Sequence, residues 1–536
     1  MKKHWLWSLL VLSCGGRPAG WEAPFSPGEP VGLDSAVVVM DPALNRALVL
    51  TSPGGLELKV SPLPVGQAVT KVQASPDGKR LFVLSRGVSP RRNPDDERPR
   101  LTLIDSDPKA NPSAKVTRTY QFNDPFSGLV LDPKNEWAVL YVTSDDNRPV
   151  ANPKLILLVD LVHLDREPIP ITVQSASGTP QSFSFTDTLT VLEGESRRLL
   201  VVETQNEVTL IDLADSLSAE QRASRQATIR MPENQQGAKG RPGAVVFHDA
   251  NGDQALDSEL AVSLLDDSNV LLIDLARHAE GSDLPFHIEI NLVDVGGQPT
   301  TIQFVNTDAG VLLAALVGSS ATLVDPKTSS VINVNLEKTF TGITLVTDDL
   351  SPGTTTDIAL LWSSSTPTVA LWNLGLATTA AKHGLETLEV GANIRDVLDV
   401  PGDAFPTSKI LEGVNGDFYV LDLKEQQSSP MDTNGRQYQL RFAPDGQSNR
   451  LWAFAPNGTD LSSLDLSTLN PTALQTESPI WGVFDIAQSS GGNGRAAIVL
   501  HRVEGDLGAT VLDALDPDNA KTRFYSGLSY GGLIDE

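Results

Sequence analysis

The sequence predicts an all-β chain built from about ten repeated four-stranded antiparallel units. Short β-branched runs alternate with Asp-Pro, Pro-Asp-Gly and related turn signals along most of the 536 residues. In addition, a third-strand motif that ends in Asp or Asn recurs nine times, at intervals of 43 to 62 residues. This period is that of one blade in a β-propeller. We therefore expect a β-propeller, with a single large ring favoured and two tandem propellers as the alternative.

The clearest unit runs from Val72 to Phe122. Its first two strands flank a turn in which Pro76 presets φ and Gly78 supplies a positive φ, so they form a hairpin. Two further short strands are predicted at Leu101–Asp105 and Val116–Phe122. The segment SPDGKRLFVLSRG within this unit resembles the repeat of YVTN-type β-propellers. The resemblance implies the same blade architecture for the other units.

The remaining units are located by the ends of their third strands. Because a four-stranded sheet cannot bury both faces alone, neighbouring units must stack face to face. The terminal carboxylate of each third strand is predicted to cap the following turn. Leu56–Val60 is the predicted third strand of the first unit, and Leu217–Gln226 is the best candidate for a helix. The later third strands end at Asp105, Asp160, Asp212, Asp274, Asp325, Asn373, Asp422, Asp465 and Asp513.

Composition excludes several classes of function. The chain has 41 Lys and Arg against 67 Asp and Glu, a net charge of −26, which repels nucleic-acid phosphates. One cysteine permits no internal disulfide. Beyond the first 13 residues the sequence has no uncharged apolar run of 18 or more, so it predicts no membrane-spanning helix.

The N-terminus has the layout of a signal peptide. A basic start, Met1–His4, precedes the short apolar segment Trp5–Leu12 and then Ser13 and Cys14. This arrangement resembles the lipobox of bacterial lipoproteins, which implies a signal peptide over residues 1–13 and lipidation of Cys14. The alternatives are an ordinary signal peptide and a buried strand with an incidental thiol. The absence of Asp after the cysteine implies an outer-membrane location, periplasmic or surface-exposed.

The next segment, residues 14–34, is rich in Gly and Pro and lacks periodicity. It is predicted to be a flexible tether between the lipidated cysteine and a β-propeller that spans residues 35–536.

The most specific local motif is an acidic loop after Phe247. Its oxygen-bearing side chains Asp249, Asn251, Asp253 and Asp257 occupy loop positions 1, 3, 5 and 9, which converge on a hard cation in calcium loops. The motif resembles the D-x-N-G-D-x-x-x-D loop of FG-GAP/VCBS-type propeller repeats, which implies calcium as a cofactor. An Asx-rich turn that binds no metal is the alternative.

No catalytic signature is present in the sequence. It contains no H-E-x-x-H, G-x-S-x-G or Walker A motif, and its seven histidines do not cluster at metal-ligand spacing. We therefore expect a non-catalytic binding or scaffold module for a protein or glycan partner in the cell envelope. One alternative is a metal-dependent hydrolase or lyase, since some YVTN-like propellers resemble lactonases. A structural subunit of an envelope assembly is the other.

Overall fold

The protein is described here from a computed structural model. The described residues are 25–88, 91–110, 112–143, 150–191, 195–214, 217–224, 226–233, 237–248, 259–275, 289–351, 354–379, 383–399, 407–433, 439–443, 448–468, 470–489, 494–503, 505–516 and 521–530. The chain divides into two compact units. The first comprises Met1–Pro125, Phe454–Leu461 and Leu474–Glu536, and the second comprises Phe126–Ala453 and Ser462–Ala473.

The described residues form ten four-stranded antiparallel sheets, which we call blades 1 to 10. Three of them lie in the first unit. Blade 1 contains β1 (Val31–Gly32), β2 (Val37–Asp41), β3 (Arg46–Thr51) and β4 (Lys59–Pro64). Blade 2 contains β5 (Val69–Ala74), β6 (Arg80–Ser85), β7 (Arg100–Ser106) and β8 (Ala114–Gln121).

Blades 3, 4 and 5 belong to the second unit. Blade 3 contains β9 (Gly128–Leu131), β10 (Trp137–Tyr141), β11 (Leu155–Asp160) and β12 (Ile169–Thr172). Blade 4 contains β13 (Ser182–Phe185), β16 (Leu199–Glu203), β17 (Glu207–Asp212) and β18 (Gln226–Arg230), with an inserted hairpin of β14 (Leu189–Val191) and β15 (Glu195–Arg197). Blade 5 contains β19 (Arg241–His248), β20 (Glu259–Leu265), β21 (Asn269–Asp274) and β22 (Glu289–Asp294).

Blades 6, 7 and 8 continue the second unit. Blade 6 contains β23 (Thr301–Thr307), β24 (Gly310–Val317), β25 (Ser320–Val324) and β26 (Val331–Asn335). Blade 7 contains β27 (Gly342–Leu345), β28 (Ile358–Trp362), β29 (Thr368–Asn373) and β30 (Leu385–Glu389). Blade 8 contains β31 (Ile394–Leu398), β32 (Ser408–Gly413), β33 (Phe418–Asp422) and β34 (Gln427–Pro430).

The last two sheets complete the repeat. Blade 9 contains β35 (Gln439–Phe442), β36 (Arg450–Phe454), β37 (Asp460–Asp465) and β38 (Pro471–Gln475). Blade 10, in the first unit, contains β39 (Ile480–Ala487), β40 (Arg495–Val503), β41 (Asp506–Asp513) and β42 (Thr522–Tyr525). The predicted all-β fold, a β-propeller of ten four-stranded blades, is confirmed.

Helix is scarce in the described residues. The α-helices are α1 (Ala219–Ser224) and α2 (Thr347–Leu350), with 3₁₀ turns at Leu374–Leu376 and Leu528–Tyr530. The predicted helix at Leu217–Gln226 is confirmed over its middle, since Gln226 already begins β18. Ser218 and Gln221 exchange hydrogen bonds of 2.9 and 3.2 Å at its start, which is a capping box. No helix in the described part of the chain is long and apolar enough to cross a membrane.

Each blade buries apolar side chains on both faces. In blade 4, Val202 and Ile211 join a core cluster with residues of blade 3. Their neighbours Val201 and Leu210 point the other way and join a cluster with residues of blade 5. Successive side chains of a strand point to opposite faces, so a continuous apolar run is what a sheet covered on both sides requires.

The carboxylate that ends a third strand caps the next turn, as predicted. Asp212 Oδ1 accepts a hydrogen bond from the backbone N–H of Ala214 at 2.8 Å. Asp160 Oδ1 accepts from the N–H of His163 at 2.8 Å. Each such bond satisfies a donor that the chain exposes when it leaves the sheet. The same contact recurs at Asp325, Asp422, Asp465 and Asp513, and through the side-chain amide oxygen of Asn373. Asp105 is an exception, because it lies inside β7 and accepts from Arg80, while Asp107 caps the turn.

The strand assignment in blade 1 differs from the prediction. Leu56–Val60 was the expected third strand, but β3 is third and Lys59–Pro64 forms the fourth. The first position is filled by β1, whose Val31 pairs with Val38, so the blade begins before Ser35 and inside the predicted tether. Gly32 fits there because Phe484 of blade 10 occupies the space that a side chain would need, 2.8 Å from an ideal Cβ.

The first unit packs blade 1 against blade 10. Val37, Leu48, Ile498 and Val511 belong to one buried cluster of the two sheets. The Tyr525 hydroxyl donates to the carbonyl of Leu56 at 2.8 Å and accepts from the N–H of Leu58 at 3.2 Å. Strands from distant parts of the sequence therefore share one core in this unit.

Candidate functional site

The residues that the sequence analysis selected lie outside the described residues. This holds for Cys14 and for Asp249, Asn251, Asp253 and Asp257. The flanking strands are described: β19 ends at His248 and β20 begins at Glu259, and these two residues pair across the sheet. The described part of the chain contains no group of three or more His, Cys, Asp and Glu residues that could hold a metal ion. The calcium loop and the lipidation site stay predictions.

A polar pocket of about 300 Å³ lies at one end of blade 4. It forms where the turn between β16 and β17 meets the connection that enters β13 and the connection that leaves β18. In an antiparallel sheet these three segments lie at the same end of the strands, so topology brings them together. The pocket is lined by Ala176, Ser177, Asn206, Glu207, Arg230, Met231, Glu233 and Lys239.

Glu207, at the start of β17, is the buried carboxylate of this pocket and is 3% exposed. Its Oε2 atom accepts hydrogen bonds from the Ser175 hydroxyl at 2.6 Å and from the N–H groups of Ala176 and Ser177 at 2.7 and 3.1 Å. Burial raises the pKa of Glu207, but these donors outweigh it and hold the pKa below its ordinary value. The carboxylate is therefore ionised at neutral pH.

Hydroxyl groups tie the three segments of the pocket to one another. The Ser177 hydroxyl lies 2.7 Å from that of Thr204 and accepts from the N–H of Asn206 at 3.2 Å. The side-chain amide of Asn206 in turn donates to the carbonyl of Gly240 at 2.8 Å. Because each segment is bonded to the next, the pocket wall is held in place without a ligand.

Two cations stand at the open side of the pocket. The Nε of Arg230 donates to Glu207 Oε1 at 3.2 Å, while 79% of the Arg230 side chain remains exposed. Lys239 and Glu233 are exposed beside it, and Met231 is buried. The pocket therefore combines two positively charged donors, Arg230 and Lys239, with the buried carboxylate of Glu207 and the exposed acceptor Glu233.

A second carboxylate network, between blades 3 and 4, supports the fold. Arg198 donates to both oxygens of the buried Asp132, at 2.7 and 2.6 Å, and also to Glu136. Burial raises the pKa of Asp132, but the Arg198 and backbone donors outweigh it and lower the pKa overall. A carboxylate of lowered pKa stabilises the folded state above its unfolded pKa of about 4, and this contribution is lost as the pH falls.

No protein-family model and no curated protein sequence matches the chain. Among solved structures, AztD of Citrobacter koseri is similar at 9% identity and a TM-score of 0.38, over 82% of this chain and 94% of that one. Sqt1 of Saccharomyces cerevisiae has 13% identity and a TM-score of 0.37, over 83% and 96%. The dihydro-heme d1 dehydrogenase NirN has 13% identity and a TM-score of 0.35, over 85% and 79%. Similarities at this level assign no function.

Replacing Glu207 with Ala tests the structural role of the buried carboxylate. The change leaves the donors of Ser175, Ala176 and Ser177 unpaired, which destabilises the fold by about 2–4 kcal/mol. We expect a lower midpoint in urea unfolding of the full-length chain. Glu207→Gln keeps an acceptor oxygen, so its unfolding midpoint should fall less than that of Glu207→Ala. The exposed Glu57→Ala is the matched control, and an equal midpoint for Glu57→Ala and Glu207→Ala would contradict the role.

Proposed function

We propose that the chain is a cell-envelope lipoprotein whose β-propeller is a non-catalytic binding or scaffold module for a protein or glycan partner. The observation that carries the proposal is the polar pocket beside Glu207, whose walls are fixed by hydrogen bonds before a ligand arrives. Such preorganisation reduces the entropy lost on binding. Membership of a YVTN-like or FG-GAP/VCBS-like family remains part of the proposal and rests on the sequence motifs alone.

The state of Glu207 favours binding over proton-transfer chemistry. A general acid or base works best when its pKa is near the operating pH. The pKa of Glu207 is lowered, and both of its oxygens accept hydrogen bonds from the protein. It therefore serves as a fixed charge that positions Arg230.

The envelope location rests on Cys14 and the apolar segment that precedes it. We propose that acyl chains on Cys14 anchor the protein to the outer membrane, since stable anchoring takes more than one chain. Fractionation of cells that express the natural sequence should place the protein with the membranes, with incorporation of labelled palmitate. The Cys14→Ser variant should be unlabelled and leave the membrane fraction. Membrane retention of Cys14→Ser equal to that of the natural chain would refute the anchor.

We also propose that calcium binds the loop that contains Asp249, Asn251, Asp253 and Asp257. The support is the alternation of four oxygen ligands between the paired ends of β19 and β20. Calcium at one hundred times its dissociation constant would stabilise the full-length chain by about 2.7 kcal/mol. Thermal unfolding in calcium, and with a chelator, measures this shift. The double variant Asp249→Asn, Asp253→Asn should show no calcium-dependent shift of the unfolding midpoint. If the natural chain itself shows no such shift, the proposed calcium site is wrong.

Affinity capture from envelope extract tests the binding function itself. The bait is the full-length chain in mild detergent, and the control bait is the same chain unfolded before immobilisation. We expect a protein or glycan that the folded bait retains and that, once purified, binds it saturably in titration calorimetry. Retention by both baits alike, or no saturable ligand among proteins and glycans, would contradict the proposed function.

A further inference from the structure

We infer that the pocket beside Glu207 recognises a carboxylate group on a partner protein. The inference rests on the proposed binding function and specifies the chemistry of the ligand. It begins with the two cations at the open side of the pocket, in a chain whose net charge is −26.

Arg230 is held so that part of its guanidinium group faces solvent. Its Nε donates to Glu207, and among the described residues no other side chain bonds to it. The terminal amino groups of a guanidinium match the two oxygens of a carboxylate, and the pair of hydrogen bonds is charge-assisted. Lys239 adds a second positive charge, and no described carboxylate lies within ion-pair distance of its ammonium group. The pocket therefore has donors that the fold itself does not use.

The charges of the pocket favour a monoanion over a dianion. Arg230 and Lys239 line the pocket together with Glu207 and Glu233, so the formal charges of these four residues sum to zero. The two carboxylates would repel a doubly charged phosphate more strongly than a single carboxylate, which can accept hydrogen bonds from the terminal amino groups of Arg230. Glu233 then remains as an acceptor for an N–H group or a cation next to the ligand carboxylate. A peptide segment supplies both features within one residue.

The size and lining of the pocket favour a peptide over a sugar. About 300 Å³ accommodates one amino-acid residue, and buried Met231 provides an apolar contact for its methylene groups. None of the described lining residues is aromatic, so these residues offer a sugar no ring on which to stack. The carboxylate could belong to an Asp or Glu side chain or to a C-terminus, and these sources share the same chemistry.

Four small probes separate these sources in titration calorimetry on the full-length chain at low salt. They are an acetylated, amidated Ala tetrapeptide with one internal Glu; acetylated tetra-alanine with a free C-terminus; the same tetra-alanine amidated; and glucuronate. We expect at least one of the two peptides with a carboxylate to bind, and the amidated peptide not to bind. Arg230→Gln and Lys239→Gln should each weaken binding about tenfold, as for loss of a charged hydrogen bond.

Lys424→Gln is the matched control. Lys424 is an exposed lysine that follows β33 in blade 8, so this substitution removes one positive charge away from the pocket. It should bind as the natural chain does. The inference would be overturned if Arg230→Gln bound the peptides with a carboxylate as tightly as the natural chain does. It would also be overturned if the natural chain bound the amidated peptide as tightly as those peptides. Tighter binding of glucuronate than of either peptide would replace the protein partner with an acidic glycan and also overturn it.

The same variants distinguish this inference from the function on which it rests. A captured partner that binds Arg230→Gln as tightly as the natural chain leaves the binding function intact and removes the carboxylate pocket. Peptide binding without any captured envelope partner leaves the pocket intact and contradicts the wider function.

Discussion

The fold depends on the stacking of four-stranded sheets whose two faces are both apolar. In blade 4 the side chains of Val201 and Val202 are neighbours in sequence but belong to different interfaces. Neither interface forms unless an adjacent blade is present, so an isolated blade would expose the apolar side chains of both faces to water. Stability is therefore a property of neighbouring blades, and the loops at the sheet ends are free to differ from one another.

That division of labour explains where the polar groups are placed. Carboxylates that end third strands, such as Asp212 and Asp160, accept backbone hydrogen bonds and cap the turns that follow. Both oxygens of Asp132 accept hydrogen bonds from Arg198 at the boundary of blades 3 and 4. Glu207 and Asp160 each also bond to an exposed arginine: the Arg230 side chain is 79% exposed and the Arg166 side chain 49%. A buried charge is in this way connected to the solvent-facing surface.

The repeat is predictable from the sequence because each unit carries its own turn residues and apolar strand segments close together in the chain. The turn at Pro76 and Gly78 was recognised from its residues, and Gly78 has the expected positive φ of 69°. The pocket was not predictable. Glu207 lies 32 residues after Ser175, and nothing in the sequence separates it from the other 66 acidic residues. Blade 1 was misassigned because β1 is two residues long and is defined by its pairing with β2 and by Phe484.

The core that blades 1 and 10 share has a consequence for engineering the chain. Val37 and Val511 lie in one cluster although most of the sequence separates them, so deleting either segment would strip the same interface. Within the first unit β1 contacts β39, and Tyr525 of β42 bonds to Leu56 and Leu58 between β3 and β4. Joining the segments before β1 and after β42 by a flexible linker, and opening the chain at an exposed turn elsewhere, would give a circular permutant that keeps the interface of blades 1 and 10. In such a permutant the order of the blades along the gene would change while their contacts would not.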